Sequence, residues 1–413
     1  MKRIKITLLI LLCLLVLSLV GCSKKGLVDG SGGFPYYSYS DVSTKETGDL
    51  EWAEEGPSDD DSKNKEKILP GQLTVCAYDD NANWDYYQSL VTRGQEKGAF
   101  FEYQEKYKLA SNRIKLTIKD KVIAKISLLN DNDEVEFTTF SDNFGNAYLF
   151  NSEKRDTYKV KVTYTKDNEQ VEKVMEVTDN QEIDLEVEKK NNSVMQLMFV
   201  IDTTGSMGDE ITYLQSEVKD VIQRIKTQND NITIYLAIMV YRDHGDDYVT
   251  KYFDFTTDID AQIANLSKEH ADGGGDFEEA VDEAFTKAAI CQWLTNSSTN
   301  VLIHIADAPS HDSDVNKWFN AVNKLTSQNV KIINVASSGI DKATEYLFRN
   351  ECIRTGGYYC YLTNDSGIGG DHIEATVEEK PTVEYLNECL IRLISGIHTG
   401  VLEEAKAYKS NQQ

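Results

Sequence analysis

From Met195 onward the chain repeats one pattern: a continuously apolar run, then a helical one. The runs are "MQLMFVI" (195–201), "ITIYLAIMVY" (232–241), "VLIHIA" (301–306) and "VKIINVA" (330–336). Strands apolar on both faces must be covered on both faces. Between the first two runs, Ile211, Leu214, Val218, Val221, Ile222 and Ile225 recur at helical spacing. Similar helices are expected around 279–291, 313–327, 341–353 and 383–396. This alternation predicts an α/β, Rossmann-like fold, a mostly parallel sheet flanked by helices. Ligands of such sheets bind at the carboxyl ends of the strands.

Those ends carry oxygen. The first run closes at Asp202-Thr203-Thr204-Gly205-Ser206, and "VLIHIA" closes at Asp307. Between them, "DGGGDFEEAVDEAF" (272–285) places Asp276 just before a helix expected to start at Phe277. Carboxylates gathered above one sheet repel unless a proton or a cation separates them, and a hard cation suits oxygen ligands. Asp276 has a second reading, as the cap of that helix.

This arrangement resembles the von Willebrand factor type A domain, whose metal-ion-dependent adhesion site uses D-x-S-x-S, a Thr and a later Asp. The resemblance covers about residues 195–400 and implies that Asp202, Thr204, Ser206 and Asp307 hold a divalent cation. Asp276 falls where most of the family has Thr; the "GGGD" form occurs with "YRDH", here Tyr241-Arg242-Asp243-His244, in a bacterial-type subgroup. The resemblance further implies an open coordination position for an acidic residue of a protein partner. Mg²⁺ suits such a site, with Mn²⁺ and Ca²⁺ as alternatives. As a third carboxylate, Asp276 is expected to strengthen the grip on the cation and weaken the pull on the partner.

Arg242, Asp243, His244 and His311 are expected on the partner-binding rim, with an Arg–Asp pair bracing the loop as the other reading. His304, inside an apolar strand, reads as a buried, hydrogen-bonded histidine. Glu278, Glu279, Asp282 and Glu283 read as a solvated helix face. Ser310 lies beside His311, but adjacency does not make a triad, and no G-x-S-x-G elbow exists. No catalytic residue is assigned, and the chain is not expected to be an enzyme.

Ahead of this region, residues 112–190 alternate apolar and polar positions between turn signals, as in a small all-β sandwich. "TTFSDNFGNAYLF" (138–150) resembles the turn of carboxypeptidase regulatory-like, or transthyretin-like, modules. Residues 69–111, with Trp84, Tyr86 and Tyr87 as core candidates, are expected to pack on that sandwich. The von Willebrand domain is expected over 191–402, and 403–413 as a tail.

The N-terminus reads as a lipoprotein signal over 1–22. Lys2, Arg3 and Lys5 precede an apolar stretch from Ile6 to Val20, and Leu19-Val20-Gly21-Cys22 resembles a bacterial lipobox. Acylated Cys22 would carry more than one chain and anchor stably. Residues 23–68 are polar and read as a disordered tether. The net charge of -25 argues against nucleic acid as a partner. No Cys/His cluster suggests zinc, and pairing of Cys352 with Cys360 stays open. The expected protein is a lipid-anchored, extracytoplasmic, metal-dependent binding module at the cell membrane or outer membrane. The alternatives are a hydrolase-associated subunit and a divalent-cation sensor of the envelope.

Overall fold

The computed structural model describes residues 68–94, 98–109, 111–190, 192–228, 231–295 and 298–409. The expected signal, Cys22 and nearly all of the tether therefore lie outside the described residues.

The chain opens with strand β1 (Thr74–Tyr78) and helices α1 (Trp84–Val91) and α2 (Phe101–Tyr107). Seven strands follow: β2 (Asn112–Ile118), β3 (Lys125–Leu129), β4 (Val135–Phe140), β5 (Asn146–Asn151), β6 (Tyr158–Lys166), β7 (Glu169–Val177) and β8 (Gln181–Ile183). They form a sheet in the order β5-β2-β8 and another in the order β4-β3-β6-β7. Ile114, Leu116, Ile126, Leu128, Leu149, Val160 and Val162, from both sheets, share one core. Alternation puts these apolar residues on one face of each strand. β7 escapes that rule: as an edge strand it exposes charge on both sides and buries little beyond Val177.

The alternating region then begins: β9 (Val194–Asp202), α3 (Ile211–Gln228), β10 (Thr233–Tyr241), β11 (Thr250–Thr256), α4 (Ile259–Leu266) and α5 (Val281–Ala289). It continues with β12 (Thr299–Ala306), α6 (Val315–Thr326), β13 (Val330–Ala336), α7 (Lys342–Thr355), β14 (Tyr358–Leu362), β15 (Glu384–Tyr385) and α8 (Leu386–Thr399). One eight-stranded sheet runs β11-β10-β9-β12-β13-β14-β1-β15. The five strands from β10 to β14 in that order are parallel. Helices cover both faces. Ile211, Leu214, Val218, Val221, Ile222 and Ile225 of α3 and the buried side of α8 fill one layer. Phe285 of α5, Trp318 of α6 and Phe348 of α7 fill the other. The α/β expectation thus holds.

Two expectations need correction. Residues 69–111 do not simply pack on the small sheets: β1 pairs antiparallel with β14 and with β15, inside the large sheet. All its residues but the half-buried Ala77 are buried, which is why this short strand reads as an apolar run. The α/β unit therefore does not start at residue 191. Second, α5 starts at Val281 rather than Phe277, and its N-cap position is Ala280. The pairing left open, Cys352 with Cys360, does not form. They belong to cores on opposite faces of the sheet, and the Cys352 thiol donates to the Tyr358 carbonyl at 3.0 Å.

The small sheets are locked to the α/β unit. Asn143 donates to the carbonyls of Ile397 and His398 at 2.8 and 2.9 Å, satisfying groups at the end of α8. The Arg354 guanidinium of α7 lies 5.4 Å from the Phe137 ring and 4.5 Å from that of Phe150. Residues past α8 fold back too, with the Tyr408 amide bonded to the Val383 carbonyl at 2.7 Å.

Candidate metal centre

Parallel register sets the centre. Ile305 of β12 lies opposite Ile201 of β9, so both strands end at the same edge and deliver Asp307 and Asp202 there. Asp202 and Thr204 are fully buried and Asp307 nearly so. The Thr204 amide and hydroxyl both donate to Asp202 Oδ1, at 2.8 and 2.7 Å. Thr204 Oγ1 stands 3.2 Å from Ser206 Oγ, and Ser206 draws the Asp307 carboxyl down against its burial. Ser206 is exposed, so the group opens to solvent there.

The buried carboxylate of the Gly-rich loop is Glu279, whereas Asp276 is exposed. Glu279 is 2% exposed, and its amide donates to the Pro309 carbonyl at 2.9 Å. Burial first, then the charges of Asp202, Asp243, Asp307 and Asp246, push its carboxyl up to about 9. Burial also raises Asp202, with Asp307 adding to it, and raises Asp307. The Gly-rich loop makes room for this. Gly274, at φ +78°, would bring a Cβ within 3.0 Å of Glu279 Oε1 and 3.4 Å of Thr204 Cβ. Gly273, also at +78°, would bring one within 2.5 Å of the Asp246 carboxyl carbon. Neither position admits a side chain without moving a neighbour.

Asp202 Oδ2, Asp307 Oδ1 and Glu279 Oε2 are all buried without a hydrogen-bond partner. Buried acceptors of this kind need a proton or a cation. Three carboxylates and the hydroxyls of Thr204 and Ser206 make a hard oxygen donor set, and that set fits a divalent cation. Reading Glu279 as part of a solvated face fails because the residue precedes α5, where helical periodicity says nothing of its direction. Asp282 is buried as well.

The expected rim divides. Arg242 is 3% exposed; it donates to the His270 carbonyl at 2.9 Å, and its guanidinium lies 4.7 Å from the Tyr248 ring. These contacts brace the loop from within. Asp243 is also buried, and its Oδ1 lies 2.7 Å from His311 Nε2. His244 is exposed and stacks on His311, with ring centroids 5.9 Å apart. Asp276 is exposed, and it gathers with Asp243 and His311: their ligand atoms lie within 4.8 Å of one another.

A buried chain of polar groups backs the centre. The Tyr241 hydroxyl stands 3.1 Å from His304 Nε2 and draws the Asp202 carboxyl down against its burial. His304 Nδ1 lies 3.0 Å from Glu351 Oε2, and Trp318 donates to Glu351 Oε1 at 3.2 Å. His304 is fully buried, as its place in an apolar strand predicts. Nothing in one chain's sequence indicates that Tyr241 and Glu351 join it.

The chain pairs a parallel α/β sheet with a carboxylate-and-hydroxyl cluster at its carboxyl edge. Residues 196–376 match the von Willebrand factor A domain. Domains of that family commonly bind a divalent cation and serve as protein-interaction or adhesion modules. The alpha-protein kinase vwkA of Dictyostelium discoideum is 26% identical over 226 residues, covering 51% of this chain and 34% of that protein. The putative ariadne-like RING finger protein R811 of Acanthamoeba polyphaga mimivirus is 31% identical over 121 residues, covering 29% of this chain and 12% of that protein. The chain thus spans about a third or less of the curated relatives it matches. Among solved structures, the conserved hypothetical protein BatB from Bacteroides thetaiotaomicron aligns at 12% identity and a TM-score of 0.33, covering 49% of this chain and 98% of that one.

Proposed function

We propose that this chain is a binding protein, not an enzyme, that holds a divalent cation, Mg²⁺ first, and uses it to bridge an acidic residue of a protein partner. The observation that carries this is the set of orphaned oxygens on Asp202, Asp307 and Glu279 behind an exposed Ser206. Asp202, Thr204, Ser206, Asp307 and Glu279 would hold the ion, which supplies a positive point for an incoming carboxylate. Thr204 fixes one oxygen of Asp202 with two hydrogen bonds. Tyr241 holds Asp202 from behind. The negative charge expected of Asp276 comes from Glu279, so the grip on the cation is strong and the pull on the partner moderate. With a net charge of -25, the protein repels acidic partners at long range, and the ion provides the local exception.

The place of action is extracytoplasmic, at a membrane reached through lipid on Cys22, with residues 23–68 as the tether and 112–190 as a carboxypeptidase regulatory-like spacer. Support comes from the lipobox-like sequence. No helix among the described residues is long and apolar enough to cross a membrane. The test is affinity capture from envelope extract with Mg²⁺ and with chelator, using the wild-type and Asp202→Ala chains. Partners retained only by the wild type with Mg²⁺ support the reading; the same proteins retained under all conditions refute it.

A further inference from the structure

Asp243, Asp276 and His311 are left over once the first cation is assigned its ligands. They come from three separate segments: the loop after β10, the Gly-rich loop before α5, and the loop after β12. One ligand atom from each lies within 4.8 Å of the others. We infer that Asp243, Asp276 and His311 form a second divalent-cation site that takes an ion of the zinc class, beside the first.

Ligand chemistry points to the ion. An imidazole nitrogen with two carboxylates suits zinc, cobalt or manganese, whereas Mg²⁺ takes oxygen and keeps its waters. The size agrees. Ligands of a tetrahedral ion with bonds near 2 Å stand roughly 3.3 Å apart, within the span of this trio. One orphaned group outside the first ion's ligands adjoins the trio in the chain: Ser310 Oγ, in the residue before His311, lacks a hydrogen-bond partner, and Ser310 is 4% exposed. Glu279 and Ser310 face each other in a parallel bridge, with Ser310 next to His311 and Glu279 three residues past Asp276. Glu279 itself belongs to the first ion's ligands; the trio does not rest on the first-cation reading.

A purely structural role for the trio makes a different forecast. The His311–Asp243 hydrogen bond would then only brace two loops, and Asp276 would be an ordinary surface acid. Titration of the full chain, stripped of metal and then saturated with Mg²⁺, separates the two. Co²⁺ and Zn²⁺ serve as probes, followed by Co²⁺ visible absorption and by calorimetry. One further equivalent is expected, with Co²⁺ bands diagnostic of nitrogen ligation at low coordination number. His311→Gln and Asp276→Asn should each weaken it at least tenfold, about what losing even a ligand's hydrogen-bond partner causes. Both should leave the thermal stabilisation by Mg²⁺ unchanged. Asp202→Ala should do the reverse, removing the Mg²⁺ effect and keeping the Co²⁺ bands. Absence of a further equivalent overturns the inference, as does Co²⁺ uptake that vanishes in Asp202→Ala but survives His311→Gln. If Asp202→Ala leaves the Mg²⁺ effect intact while His311→Gln loses Co²⁺, the first-cation reading fails and the second site stands.

Discussion

Asp80 and Arg349 form an ion pair from which solvent is shut out: their side chains are 1% and 0% exposed. Arg349 Nε donates to both carboxylate oxygens, at 3.1 and 3.0 Å, across 269 residues of chain. The pair joins the segment after β1 to α7, a helix buried from Thr344 to Thr355. Removing Asp80 leaves Arg349 paired only with Glu345, 3.3 Å from its Nη1, and breaking a buried pair costs about 3–5 kcal/mol. Asp80→Ala should therefore lose that much in denaturant unfolding; a loss under about 1 kcal/mol would show the pair to be solvated.

The same relationship sets the limits of the folding unit. Glu217 of α3 accepts the amides of Gly71 and Gln72, and β1 covers the edge of β14. A fragment of residues 190–402 is expected to aggregate, while one of 68–409 gives a cooperative thermal transition. Equal transitions from both would mean that β1 is dispensable.

The metal-free protein should lose stability as pH rises. In the folded state Glu279 is raised from 4.5 to about 9, and Asp202 and Asp307 are raised as well. Through that interval the native state binds more protons than the unfolded one, so stability falls with pH. The contribution is complete below about 4.5 and gone once pH passes about 9. Melting temperatures in EDTA should decline between pH 5 and 8, and Mg²⁺ should flatten the decline. A flat profile in EDTA would show that these carboxyls are not desolvated.

Glu279→Gln separates charge from shape. Without metal at neutral pH it should melt higher than wild type, because the wild-type carboxyl must take up a proton to be buried and the amide need not. With metal it should gain less. A cation at a hundred times its Kd adds about 2.7 kcal/mol, roughly 5 °C for a domain of this size. Wild type should show that gain, and Glu279→Gln a fraction of it. Asp276→Asn should keep the full gain from Mg²⁺; if it loses the gain, Asp276 rather than Glu279 serves the first ion.

Cys22→Ala should move the protein from the membrane fraction to the soluble one. Fractionation at high salt checks this; a variant that still sediments with membrane would show an anchor other than lipid.

Sequence alone carried the α/β class, because continuous apolar runs separated by 3.6-period helices have few packings. It also carried Asp202, Thr204, Ser206 and Asp307, since strand ends and the residues just past them are fixed by local chemistry. Tertiary structure decided the rest. Glu279 is buried and Asp276 exposed because the two lie three residues apart in a loop whose path is set by Gly273 and Gly274 at positive φ, and loop direction has no periodic signature. β1 joined the large sheet through pairing with Tyr359–Leu362, nearly three hundred residues away, and such register is chosen by edge availability rather than by the strand's own sequence. Arg242 and Asp243 turned inward because Tyr248, His270 and His311 converge on them from other segments. A residue's own type says that it can ionise; only the partners brought to it by the fold decide whether it faces water, a counter-charge or a metal.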